Sequence, residues 1–318
     1  MSHKLETIDG QAQMAYAGDV PWHGLGKRVP ADLTPIQMLE AAGLDWTVEP
    51  RPAFAEVGGV MTPINRAALV RTSDEKMLDV ISDDWEPCQN EEAFNFFNEY
   101  VAAGDMEMHT AGSLKDGQIV WALAKVNESF ELPGEDRVDA YLHFTNPHKY
   151  GKSLDIRFTP IRVVCNNTLT LSLSRKSKNM VKISHRRKFD PEAAKEALGI
   201  AKDKLGQYGE MAKFLSTKRF TNESAEEYFR RIFPMNTNDP DKKEELSKNA
   251  KEAMVIKDTQ PGANKSEGSM WQLFNTVTYM TDHVIGRSAD TRLYSAWYGP
   301  NRGLKTKALE VAVEMANA

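Results

Sequence analysis

The chain has 318 residues, 41% of them hydrophobic, which suffices for a real core in one large or two ordinary domains. Its formal net charge is −5, no run reaches the roughly 18 apolar residues a membrane span needs, and the opening MSHKLETIDG lacks an apolar signal-peptide core. A cytoplasmic protein with no membrane partner is expected, and two cysteines, Cys88 and Cys165, are too few for a disulfide framework or a four-thiolate zinc site.

The segment GQAQMAYAGDVPWHGLGKRVP is rich in Gly and Pro without a sustained period, and reads as an ordered loop anchored by Tyr16 and Trp22. Thr34 and Pro35 supply an N-cap and a first-turn proline for a short helix with Ile36, Met38, Leu39 and Ala42 on its apolar face; Gly43 ends it. From Trp46 to Ile81, short β-type runs separated by turn signals predict hairpins. Glu86 to Tyr100 switches to helical spacing, with Phe94, Phe97 and Val101 on one face. Strands resume at His109, and Asp116-Gly117 is a two-residue turn signal. Further strands are expected at Ala140 to Phe144, Leu154 to Phe158 and Ile161 to Leu173. An α+β domain follows over 1–188, an antiparallel sheet with packed helices.

At Asp190-Pro191 the pattern becomes helical. Ala194, Leu198, Ala201, Leu205, Tyr208, Ala212 and Leu215 form a seam about three heptads long, fitting either a docked bundle helix or a self-associating coiled coil. Ser224 to Glu227 matches a capping box. The polar stretch 234–268 is expected to be a mobile excursion carrying one short helix. Ser269 can cap a helix with Met270, Trp271, Phe274, Val277 and Met280 as its apolar stripe, and a last helix runs from about Leu304. An all-α region over 189–318 is the expectation.

Charge is distributed in three zones. Residues 1–146 hold ten bases against twenty-five acids, Pro147 to Lys188 hold eleven bases against Asp155 alone, and 189–318 are balanced. The middle zone is therefore a candidate polyanion footprint inside an acidic chain. Lys149, Lys152, Arg157, Arg162, Arg175, Lys176, Lys178, Lys182, Arg186, Arg187 and Lys188 can neutralise phosphates; Phe144, Tyr150 and Phe158 can stack bases. Asn146, Asn166, Asn167 and His148 can donate or accept at base edges or sugars. A second reading pairs the basic zone with the acidic first half, within the chain or between subunits.

The stretches MAYAGDVPWHGLG, NEEAFNFF, TAGSLKDGQIVWALAKV, TPIRVVCNNTL, GSMWQLFNTVTYMTDH and RLYSAWYGPNRGLKTKA, with the TN-x-H element at Thr145 to His148, carry a resemblance. The chain resembles the phage/plasmid-like proteins, a family whose defining region is a domain of unknown function. The family's usual His-Asp-Gly-Ser after the TN element is replaced here by His148-Lys149-Tyr150-Gly151-Lys152-Ser153, which loses an acid and gains two bases. The resemblance implies a protein of phages and mobile elements, acting in a bacterial host cell.

The reading these features favour is a non-catalytic protein that binds nucleic acid, foremost single-stranded DNA, in replication, recombination or annealing. Homo-oligomers and phage or host replication and recombination proteins are the expected partners. The alternative is a self-assembling structural or host-interaction protein. An enzyme on nucleotides using His143, His148, Asp155 or His185 ranks third, because no H-E-x-x-H, cysteine pair or other complete constellation accompanies those residues. No cofactor or metal is expected. The Trp22 to Gly26 loop lacks the spacing of a phosphate loop, and Tyr294, Trp297 and Tyr298 among Arg292, Arg302, Lys305 and Lys307 read as helical core.

Overall fold

The computed structural model describes residues 5–19, 21, 24–162, 167–168, 180–183, 185, 205–239, 244–286 and 289–318. Two compact units result: Met1–Asn127, Tyr141–Arg157 and Met180–Ile200 form one, and Glu128–Ala140, Phe158–Asn179 and Ala201–Ala318 the other. The sequence boundary expected at 188 lies outside the described residues. Among the described residues, no helix is long and apolar enough to cross a membrane.

The first unit is built on strands. β1 (Thr7–Ile8) and β2 (Gln11–Ala12) form a small hairpin. The main sheet runs β4 (Lys27–Val29), β3 (Met14–Ala17), β8 (Met106–Leu114), β9 (Ile119–Leu132), β10 (Asp136–Pro147) and β11 (Leu154–Arg162). β13 (Met180–Ile183) lies antiparallel to the start of β11. β9, β10 and β11 run on into the second unit, where β12 (Asn167–Thr168) pairs with β11. A separate meander joins β5 (Val48–Val57), β6 (Val60–Arg71) and β7 (Lys76–Ile81).

Three short helices belong to the same unit: α1 (Pro35–Ala41), α2 (Asn90–Asn95) and α3 (Asn98–Ala102). Thr34 caps α1, its hydroxyl accepting from the Gln37 N–H while the Gln37 side chain accepts from the Thr34 N–H. The expected single helix over 86–100 is two pieces interrupted at Phe96-Phe97. The rings explain the interruption: Phe96 and Phe97 both pack on Phe144 of β10, at 6.2 and 6.0 Å between centroids. Phe94, Phe97 and Phe144 are fully buried, each contributing roughly 2–3 kcal/mol of transfer free energy.

Two expectations are corrected here. The glycine-rich opening is not all loop, since Met14–Ala17 is a buried strand and Lys27–Val29 pairs with it in parallel. Gly26 sits at φ 104°, where an added Cβ would lie 3.1 Å from the Met14 side chain, so a glycine is required for the two strands to meet. The β8–β9 connection spans 115–118 instead of two residues, with Lys115, Asp116 and Gly117 all at positive φ.

The second unit holds the helices: α4 (205–217), α5 (Asn222–Ile232), α6 (Lys248–Thr259), a 3-10 turn (Ala263–Ser266), α7 (Met270–Tyr279), α8 (Ala289–Tyr298) and α9 (Pro300–Asn317). Leu205, Tyr208, Ala212 and Leu215, the described half of the seam, face the core. Trp271 is buried and donates from Nε1 to Asp136 Oδ2 at 2.9 Å. α7 continues into a π-helical turn at Met280–Val284, which carries Asp282 to a buried ion pair with Lys305 of α9. Burial holds the Lys305 pKa below its usual value despite that partner. The last helix starts four residues before the position read from the apolar pattern, because Pro300 occupies its first turn. The antiparallel sheets of the N-terminal part and the helices of the C-terminal part make the fold α+β.

Candidate nucleic-acid interface

The basic zone begins at the turn between β10 and β11. Lys152 N–H donates to Lys149 O at 3.2 Å, and Gly151 takes φ +73° at the third position, as a type II turn demands. Tyr150 and Lys152 are exposed and Lys149 half-buried, so the tyrosine stands at the corner between two ammonium groups. This corner is held from three sides. His148 N–H donates to Gln118 O at 2.9 Å, Tyr150 N–H donates to Asp79 Oδ2 at 2.8 Å, and the Arg66 guanidinium carbon lies 5.5 Å from the centre of the Tyr150 ring.

Beside the turn opens a groove of about 500 Å³ lined by Leu5, Lys76, Met77, Leu78, Lys115, Asp116 and Gln118. Gln118 links the two, since its side-chain oxygen accepts from Lys149 Nζ at 3.5 Å and its amide nitrogen donates to Leu78 O at 2.8 Å. Arg66, Lys76, Lys115 and Lys149 thus gather near Asp79 and Asp116, within the part of the chain richest in acids.

Beneath the turn lies a buried polar network. Asn90 Nδ2 donates to Leu44 O and Trp46 O, at 3.0 and 3.4 Å, leaving its Oδ1 as an acceptor. That oxygen receives His148 Nε2 at 2.8 Å and Asn146 Nδ2 at 3.3 Å, while Asn146 Nδ2 also reaches Cys88 O at 2.9 Å. An acceptor opposite Nε2 places the His148 proton there. Desolvation, with His185 and Arg71 adding repulsion, pushes the His148 pKa down to about 3, so the ring is neutral at pH 7. His185 stacks on Trp85 at 4.2 Å, and burial lowers its pKa to about 4. Burial raises the Cys88 thiol well above its usual range, so it is no ready nucleophile.

The candidate binding residues therefore divide by depth. Lys149, Tyr150 and Lys152 reach the surface. Phe144, Asn146 and His148 are fully buried, and Arg157 is 6% exposed, bonded to Asp155 at 2.6 Å. Asn146 and His148 hold the start of the turn, Phe144 packs on Phe96 and Phe97, and Arg157 is paired within β11; sealed side chains offer nothing to a strand in solvent. Phe158 is buried as well. Arg162, Asn167 and Lys182 are described in their backbone alone: Arg162 is opposite Asn167, and Lys182 opposite Asp155. Asn166, Arg175, Lys176, Lys178, Arg186, Arg187 and Lys188 lie outside the described residues, as do Trp22 and Cys165.

The histidines expected to compete as a catalytic set are all buried, and His143 packs edge-on to Trp121 at 6.5 Å. Among the described residues, no group of three or more His, Cys, Asp or Glu is placed to hold a metal ion. Arg66 was not among the residues the sequence pointed to. It lies more than eighty positions before Tyr150, in a nearly uncharged stretch with no other base between Arg51 and Arg71, so no local signal marks it.

One family model, a domain of unknown function (DUF932), matches residues 77–297. The match takes in the Lys149 to Lys152 turn and leaves out β5, β6 and all of α9. No curated protein and no solved structure matches the chain.

Proposed function

Since the chain belongs to the DUF932 family, whose function is unknown, its own geometry has to carry the reading: we propose that it binds single-stranded nucleic acid, foremost DNA, through the β10–β11 turn. The observation that carries this is the exposed Tyr150 ring, held beneath Arg66 and flanked by Lys149 and Lys152. An aromatic ring can stack a base only where the base is unpaired, while the surrounding cations track the phosphates. The groove beside it carries Lys76 and Lys115, where a phosphate would compete with Asp116 and Glu6 for the Lys76 ammonium, 3.9 and 4.0 Å away. The protein acts without catalysis of its own, in replication, recombination or annealing on a phage or other mobile element, as the resemblance in TPIRVVCNNTL and PWHGLG suggests.

Fluorescence anisotropy with labelled oligothymidylate over a salt series tests the proposal. Tyr150→Ala is expected to weaken binding by about 1–3 kcal/mol, the contribution of one stacked base. Lys149→Ala with Lys152→Ala is expected to flatten the log–log salt dependence by about 0.7 for each phosphate that is no longer neutralised. An unchanged affinity and slope in the triple variant would overturn the reading.

A further inference from the structure

A cavity of about 570 Å³ opens in the second unit, where three segments of the chain meet. The first is the turn between β9 and β10, the second is the 3-10 turn with the two residues after it, and the third is the end of α4 with its link to α5. Main-chain contacts fix their approach. Met270 N–H donates to Lys218 O at 2.8 Å and Phe220 N–H to Gly268 O at 3.1 Å, which ties the third segment to the second. Gly134 takes φ +86°, and an added Cβ would lie 2.6 Å from Lys265 O, so a glycine is what lets the first segment reach the second.

Two cations line this cavity, exposed Arg219 and half-buried Lys265. Arg219 donates from Nη1 to Glu267 O, and Lys265 from Nζ to Glu135 O at 2.7 Å. Neither forms an ion pair with a carboxylate among the described residues. A main-chain carbonyl needs only a donor, which a glutamine would supply, so the positive charge is surplus to holding the segments together. Each group also keeps donors to spare, since an ammonium has three N–H bonds and a guanidinium five. Asn264 adds an exposed side-chain amide that has no partner among the described residues.

The chemistry of the lining selects the ligand. Two cations from separate segments match a dianion, whereas a carboxylate would be satisfied by the Arg219 fork alone. No aromatic ring lines the cavity, so nothing there stacks a base, and Glu267 on its wall disfavours a strand charged at every residue. The same carboxylate can accept from hydroxyl groups. We propose that the cavity binds the terminal phosphate of a small polyhydroxylated molecule, with Arg219 and Lys265 holding the dianion and Asn264 and Glu267 meeting the hydroxyls. The site shares no residue with the β10–β11 turn, so the inference stands apart from strand binding.

Phosphorus NMR of inorganic phosphate titrated with the full chain, at a pH of about 8 where the ion is a dianion, is the test. Line broadening that saturates with a dissociation constant on the order of 1 mM is expected, the scale that two charge-assisted contacts supply. Ribose 5-phosphate should displace the ion, whereas acetate and oligothymidylate without a terminal phosphate should not. Lys265→Gln and Arg219→Gln keep a donor for Glu135 O and Glu267 O, and each should weaken binding about tenfold. Asn264→Asp, at an exposed position with no bond to lose among the described residues, should weaken it by repulsion. Absence of broadening overturns the inference, as does broadening unchanged in the three variants or a failure of ribose 5-phosphate to compete. Displacement by acetate also overturns it, and displacement by the oligonucleotide does so in favour of a phosphodiester backbone.

Discussion

A single amide holds the ground under the candidate interface. Asn90 satisfies two backbone carbonyls with its nitrogen and two side-chain donors with its oxygen, so His148 is kept as the neutral Nε2–H tautomer beneath an exposed basic turn. This has a consequence for pH. With the folded pKa of His148 at about 3 against an unfolded value near 6.5, the unfolded chain binds the extra proton throughout the interval between them. Stability from this residue is therefore complete above pH 6.5 and is lost as pH falls towards 3, at no more than about 1.4 kcal/mol per pH unit. His185, at about 4, acts in the same direction. Thermal unfolding at pH 7 and pH 5 should show a lower Tm at pH 5, and His148→Gln, which keeps a donor to Asn90, should shrink the difference; an equal drop in that variant would exonerate the ring. Sequence alone pointed to Lys149, Tyr150 and Lys152, because net charge is visible in a window. It could not separate them from Phe144, Asn146 and His148, because β10 is buried at every position except Arg137 and so shows no alternation to mark which residues are covered.

Among the elements, caps and turns were the most legible, and where they were misread the register is at fault. Ser224 to Glu227 has the spacing of a capping box, yet the cap of α5 is Thr221: its hydroxyl accepts from Ser224 N–H at 3.2 Å, and Ser224 Oγ accepts from Thr221 N–H at 2.8 Å. Serine serving as the return partner is outside the usual S/T-x-x-E/Q pattern, so the motif was displaced by one turn. Glu227 instead pairs with Arg230 on a half-exposed face. Thr221→Ala should cost about 1 kcal/mol in chemical denaturation, whereas Glu227→Ala should cost less than about 0.5 kcal/mol, the range of a surface i,i+3 pair. Equal losses would return the cap to Ser224. Strand β3 escaped for another reason: Met14–Ala17 is four residues long and buried throughout, too short for a period and flanked by glycine and proline signals that read as loop. The long meander, by contrast, announced itself through β-type runs and the Gly58-Gly59 tip.

At the scale of the whole molecule, a chain of net charge −5 is proposed to bind a polyanion, and the two facts act over different ranges. At about 0.15 M salt the Debye length is roughly 8 Å, so a phosphate at Tyr150 responds chiefly to Arg66, Lys149 and Lys152, less the nearby Asp79, and very little to distant acids. At about 0.01 M it is roughly 30 Å, the dimension of a domain, and the fifteen excess acids of residues 1–146 are then felt as well. Counterion release alone would make log affinity rise linearly as log salt falls. Long-range repulsion subtracts from that rise only when screening is weak, so the plot should bend over at low salt and the association rate should pass through a maximum at intermediate salt. Replacing Asp83 and Asp84, two exposed acids beyond β7, by Asn should straighten the low-salt limb without changing the slope above about 0.1 M, where only near charges act. Stopped-flow anisotropy across that salt range measures both limbs. A straight line to the lowest salt in the parent chain would mean that the bound strand senses the basic turn alone.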